Sequence, residues 1–205
     1  MLHALPRRLR ALVLAPIVAS LAAACGGGGE ADAPAKAQAG GQLITGFAGT
    51  EWGATRQQIE AARGAPDTVR PYFEGVQALG YEEDEMFTAR VQSVFFVHPE
   101  HGMFRAGYAA HPRAAGQCEV VYGLMERAVQ QRYPGLEPEA RQGNQSDQPF
   151  CAAVLAGQAT RMTRWRDSAG TVIYLLAAPG ASEILLMFST ARANEWEARK
   201  NSGRL

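Results

Sequence analysis

Ala89-Arg90-Val91-Gln92-Ser93-Val94-Phe95-Phe96-Val97-His98, followed by Pro99-Glu100-His101-Gly102 and then Met103 to Ala110, is the stretch that sets the fold class. Side chains alternate across an extended chain, so Val91, Ser93, Phe95 and Val97 share one face while Val94 and Phe96 add apolar weight to the other. That pattern suits an interior strand covered at least partly on both sides. Pro99 to Gly102 is a turn connection, which brings Met103 to Ala110 back as a hairpin partner. Strands that follow one another through short turns imply an antiparallel sheet.

Toward the N-terminus, Leu79 to Glu83 reads as a further strand, reached through a loop rich in turn formers. Before that loop, Thr55 and Gln58 have the spacing of a capping box, in which two side chains satisfy orphan amides at a helix start. Gly64 suits the position after a helix and Pro66 forbids its continuation, so a short helix is expected over Arg56 to Arg63. Gly53, Thr55, Gln58, Ile59, Gly64 and Pro66 resemble the opening helix of small outer-membrane lipoproteins of the SmpA/OmlA type, and of the related β-lactamase-inhibitor-protein-like fold. The resemblance covers about 15 residues and implies a helix packed on an antiparallel sheet, a fold associated with protein binding.

Toward the C-terminus, Cys118, Val121, Tyr122, Met125, Ala128 and Val129 recur at helical spacing, opposite Glu119, Gly123, Glu126, Arg127 and Gln130. Pro134-Gly135 stops this helix, and Glu137 to Gln148 is a polar loop. Strands are expected at Thr160 to Arg166, Thr171 to Ala177 and Glu183 to Ser189, with turns at 167–170 and 179–181. Arg192 to Lys200 is a terminal helix with Glu195 and Arg199 four residues apart. The expected fold is therefore α+β: an antiparallel sheet with helices packed on one face, in a possible tandem αβββ arrangement with halves 42–112 and 113–205.

The first 24 residues are a different kind of sequence. Arg7, Arg8 and Arg10 precede an uncharged apolar run, Ala11 to Ala24, that ends in small residues, the layout of a secretory signal. The run is shorter than the roughly 20 apolar residues a spanning helix needs. Leu21-Ala22-Ala23-Ala24-Cys25 resembles the lipobox of bacterial lipoproteins, with Ala22 where Leu is commonest. That resemblance implies cleavage before Cys25, a diacylglycerol on its thiol and an acylated new amino terminus. Gly26 rather than Asp after it implies the outer membrane, facing the periplasm. The alternative is ordinary cleavage after Ala24 with a free Cys25 thiol. Residues 25–41, Gly- and Ala-rich, read as the lipidated cysteine and a flexible tether, leaving 42–205 as one domain.

Three of the 20 basic residues and none of the 20 acidic ones lie in the leader, so the rest of the chain is net negative by three. No nucleic-acid partner is expected from that balance. Cys118 and Cys151, an even pair in an oxidising compartment, read as a disulfide, the alternative being two buried thiols. His98, Glu100, His101 and His111 are candidate zinc or copper ligands, or else a polar hairpin tip. Arg161, Arg164 and Arg166 around Trp165 are candidates for an anion or glycan contact, or else the outward charges of an edge strand, with Trp165 itself expected to fill the core beneath the second helix. Glu82 to Glu85 lacks the ligand alternation and Gly of a calcium loop and reads as a solvated strand end.

No nucleophile and base stand at a known spacing and no cofactor signature occurs, so neither a catalytic residue nor a cofactor is expected. The expectation is a non-enzymatic, lipid-anchored envelope protein whose sheet surface binds another envelope protein or the barrel-assembly machinery, as a protein-binding or assembly module. The alternatives are a metal-binding factor or enzyme using the histidine cluster, and a glycan or cell-wall binder.

Overall fold

A computed structural model describes residues 42–86, 89–143, 150–178 and 183–201. The expected leader, Cys25 and tether (1–41) lie outside the described residues, as do the turn at 179–181 and the side chains of Glu83, Asp84, Glu85 and Arg199. Ten strands and four helices occur among the described residues. They follow the order β1 (Gly46–Phe47), β2 (Thr50–Glu51), α1 (Arg56–Arg63), β3 (Thr68–Pro71), β4 (Gln77–Met86), β5 (Ala89–His98), β6 (Gly102–Ala110), α2 (Ala115–Arg132), β7 (Pro138–Gly143), α3 (Phe150–Leu155), β8 (Arg161–Arg166), β9 (Val172–Ala177), β10 (Ile184–Ser189) and α4 (Ala191–Asn201).

The expected α+β class holds. Strands β3 to β10 form one antiparallel sheet in the order β3-β4-β5-β6-β10-β9-β8-β7. Each half contributes four strands, one more than expected, and runs from its edge strand (β3 or β7) to the sheet centre (β6 or β10). The two strands missed from the sequence are these edges. β3 is short and ends on Pro71, and β7 opens on Pro138 with Glu139 beside it, a composition that blunts an exposed edge and hides the alternation of a buried strand.

The first helix starts as its residues dictate. Thr55 Oγ1 accepts from Gln58 N at 3.3 Å, Gln58 Oε1 accepts from Thr55 N at 2.8 Å, and Gly64 closes the helix at a positive φ. Ile59 is its buried contact with the sheet. The second helix buries Cys118, Val121, Tyr122, Met125, Ala128 and Val129, the six residues of the sequence stripe. Cys118 is bonded to Cys151 of the short α3, with the Cα atoms 5.9 Å apart, and Glu119 Oε1 accepts from Cys151 N at 2.9 Å. Thus α1, α2 and α3 share one face and one core with Leu79, Phe95, Trp165, Ile173 and Leu175.

The reverse face carries α4. Its Ala193 and Trp196 pack on Val76 and Phe104, with Phe73 and Phe96 alongside, in a second, smaller core. Thr190 fixes the helix start: its N–H and its hydroxyl both donate to Phe104 O, at 3.1 and 3.0 Å, while its Oγ1 accepts from Ala193 N. Arg105 donates to Ser189 Oγ at 2.7 Å and pairs with Glu197 of the helix.

Burial is felt in ionisation. The Tyr122 phenol is pushed up from its ordinary 10.0, first by desolvation, although its hydrogen bond with Thr163 (3.1 Å) opposes the shift. An unfolded chain would lose that proton near pH 10 while the folded one keeps it, so stability falls as pH rises beyond that value.

Replacing Cys118 and Cys151 together by serine removes the cross-link over a separation of 33 residues. The expected loss is about 3–4 kcal/mol in the chain-entropy picture, read as a lower urea midpoint. An unchanged midpoint would contradict it. At the sheet centre, a Cβ on Gly107 would lie 2.4 Å from Leu186 O on the neighbouring strand. Gly107→Ala is expected to cost about 1–3 kcal/mol by overpacking, measured as a lower melting temperature.

Candidate functional site

The helix-covered face uses one set of alternate side chains, so the other set defines what the reverse face can present. Register places three rows across it. Met162, Leu176, Leu185, Ala109 and Gln92 form one; Arg164, Tyr174, Met187, Gly107, Val94 and Gly80 form the next. Arg166, Val172, Ser189, Arg105, Phe96 and Ala78 form the third. Helix α4 takes up the third row through Arg105 and Phe96.

Most of the first two rows stays accessible, Ala109, Gly107 and Gly80 being buried. Met162, Tyr174, Leu176, Leu185 and Met187 are all partly exposed and neighbours on three adjacent strands, and the partly exposed Val94 lies beyond Gly107 of β6. Gly107 has no side chain there, and Met187 Sδ lies where its Cβ would stand. Charge borders the patch on the β7–β8 side: Glu139 pairs with Arg164 Nε at 3.2 Å and with Arg166 Nε at 3.0 Å.

The alternative of a glycan contact around Trp165 is not assembled, and Trp165 fills the core as its sequence position suggests. Trp165 alternates with Arg164 and Arg166, so its side chain enters the core, where it has no exposure, while theirs turn to the reverse face. Arg161 faces the helices, its guanidinium 4.4 Å from the centre of the Phe150 ring and 5.1 Å from that of Tyr122. A sugar cannot stack on Trp165 in the folded domain, and the three arginines do not converge.

The histidine cluster forms in part. His98 ends β5 and His101 precedes β6, and with Glu100 they place one ligand atom each within 4.8 Å of one another. His111 does not join them. It follows the far end of β6, roughly 30 Å along a strand that rises about 3.3 Å per residue, and its Nδ1 lies 3.7 Å from Glu183 Oε1.

A cavity that no motif announced lies on the helix face. It measures about 610 Å3 and is lined by the β1–β2 hairpin, the C-terminal part of α2, and Tyr108, Leu186 and Phe188 of the two central strands. Thr50 Oγ1, on its wall, is buried without a hydrogen-bond partner. Tyr133, also on the wall, has its phenol pushed up by burial, with Arg132 opposing the shift. The sequence signal was missing because the floor is made by strands far apart in the chain.

Trp165→Ala is expected to cost about 3–5 kcal/mol of stability, as for other large aromatic deletions in cores. Arg164→Ala with Arg166→Ala should cost no more than about 1 kcal/mol, since both pairs are partly solvated. Thermal unfolding of the two variants distinguishes the buried role from the surface one. Compared with protein-family models, curated proteins and solved structures, this chain matches none, so its function has to be argued from its own residues.

Proposed function

We propose that the chain is a non-enzymatic, lipid-anchored protein of the bacterial envelope that binds another envelope protein through the open rows of its sheet. The observation that carries the reading is the partly exposed run of Met162, Tyr174, Leu176, Leu185, Met187 and Val94 on a face otherwise occupied by α4. Aromatic and Met side chains are enriched at protein interfaces, where they supply large contact area. Met adds adaptability to the shape of a partner. Glu139, Arg164 and Arg166 form a charged border that would set orientation more than affinity.

The leader supplies the location. Acyl chains on Cys25 would hold the protein at the outer membrane, each buried methylene contributing about 0.8 kcal/mol. Attachment to the membrane would concentrate the domain near partners in the same membrane.

The test is affinity purification of full-length protein from detergent-solubilised envelopes, beside a Cys25→Ala control and a Tyr174→Asp, Met187→Asp double variant. One stoichiometric partner, lost in the control and in a double variant that keeps its circular dichroism, is the expected result. A partner retained equally by the folded double variant would place the interface elsewhere, and recovery of nothing above background would refute partner binding.

A further inference from the structure

We infer that the β5–β6 hairpin tip is a binding site for a borderline divalent cation, copper(II) or zinc(II), held by His98, Glu100 and His101. This goes beyond the docking face and does not depend on it. The three residues present two imidazole nitrogens and a carboxylate oxygen, all within 4.8 Å. Ligands at about 2.0–2.2 Å from one ion stand about 3–3.5 Å apart in tetrahedral geometry, so small side-chain rotations close the site. The ligand chemistry selects the metal class: imidazole suits copper and zinc, whereas an all-oxygen set would suit calcium or magnesium.

The tip has the fixed base such a site needs. Gly102 adopts φ +66°, and a Cβ there would strike Gly53 O, so the turn sits directly on the loop before α1. Two backbone bonds of 2.8 Å, Gly53 N to Met103 O and Met103 N to Ala54 O, secure it. The imidazoles of His98 and His101 stack with centres 4.6 Å apart and planes 16° from parallel. Behind them the Trp196 ring lies edge-on, 4.7 Å from His98 and 6.4 Å from His101. Arg192 and Glu195 line the same recess with opposite charges, which offset each other beside the ion.

One contact supplies a specific reporter. His98 Nδ1 accepts from Glu100 N at 3.1 Å, so the neutral ring carries its proton on Nε2. Coordination through Nδ1 displaces the Glu100 amide directly. Coordination through Nε2 requires the proton to move to Nδ1, which turns that acceptor into a donor facing the amide. Either route frees the Glu100 N–H, which an ion bound elsewhere on the surface would leave in place.

The test titrates full-length protein in detergent with copper(II) and, separately, with zinc(II). Expected are one saturable equivalent of each, tighter binding of copper in accord with the usual order of stability, and a shift of the Glu100 amide resonance with zinc. Copper should also quench the indole fluorescence of Trp196, measured against Trp196→Phe. His101→Ala and Glu100→Gln, both at exposed positions, should each weaken binding at least tenfold. Affinity unchanged in both variants would locate the ion elsewhere, and absence of saturable binding would remove the site; either result overturns the inference.

Discussion

Antiparallel pairing of β6 with β10 is the constraint on which the rest of the structure depends. Six residues of each strand, Arg105–Ala110 and Ile184–Ser189, form the seam that makes one eight-stranded sheet from two four-stranded halves. A four-stranded sheet with one helix leaves much apolar surface in water. Joining two at their central strands removes two edges and extends a common core beneath α1, α2 and α3. Backbone at the seam approaches closely enough that Gly107 has no room for a side chain, because Leu186 O and Met187 occupy it.

Other tertiary features follow from that seam. Helix α4 leaves β10 at Thr190 and is fastened to β6 through Phe104 O and Arg105, so it covers the middle of the reverse face and leaves the β8–β9 side open. On the opposite face, Tyr108 from β6 and Leu186 and Phe188 from β10 make the floor of the large cavity. The segment before α1 closes over this floor and is tied down far away in sequence. Asp167, at the turn between β8 and β9, accepts from Ile44 N at 2.9 Å and from Thr171 N at 2.8 Å, and Trp52 Nε1 donates to Ile44 O at 2.7 Å. A single carboxylate thereby stitches the start of the domain to its second half.

Legibility in the sequence followed the strength of the local pattern. The capping box of Thr55 and Gln58 and the buried stripe from Cys118 to Val129 are written within a few turns of helix, and both elements form where those residues place them. The central strands, with Phe95 or Ile173 at alternate positions, were equally clear. The edges β3 and β7 were not, because edge strands carry Pro and charge in place of an apolar alternation. Helix α3 is six residues long, too short to show a period, and is held by Cys151, Glu119 and the core rather than by its own propensity. Among candidate site residues, His98, Glu100 and His101 meet because one turn brings them together. His111 and the arginines around Trp165 are kept apart by strand length and by strand alternation, respectively.

By itself the sequence determined what is decided over short distances: where helices start and stop, which residues of a strand share a face, and that Cys118 and Cys151 are available as a pair. These follow from backbone hydrogen bonding and side-chain period, which need no knowledge of the rest of the chain. Tertiary structure alone decided which strands are neighbours, which face α4 covers, and that a cavity opens over the seam. Those outcomes rest on contacts such as Arg105 against Ser189, or Ile44 with Asp167, between residues more than 80 positions apart. The free energy of closing such long loops is repaid only when the whole sheet and both of its faces form together, so no local pattern carries them.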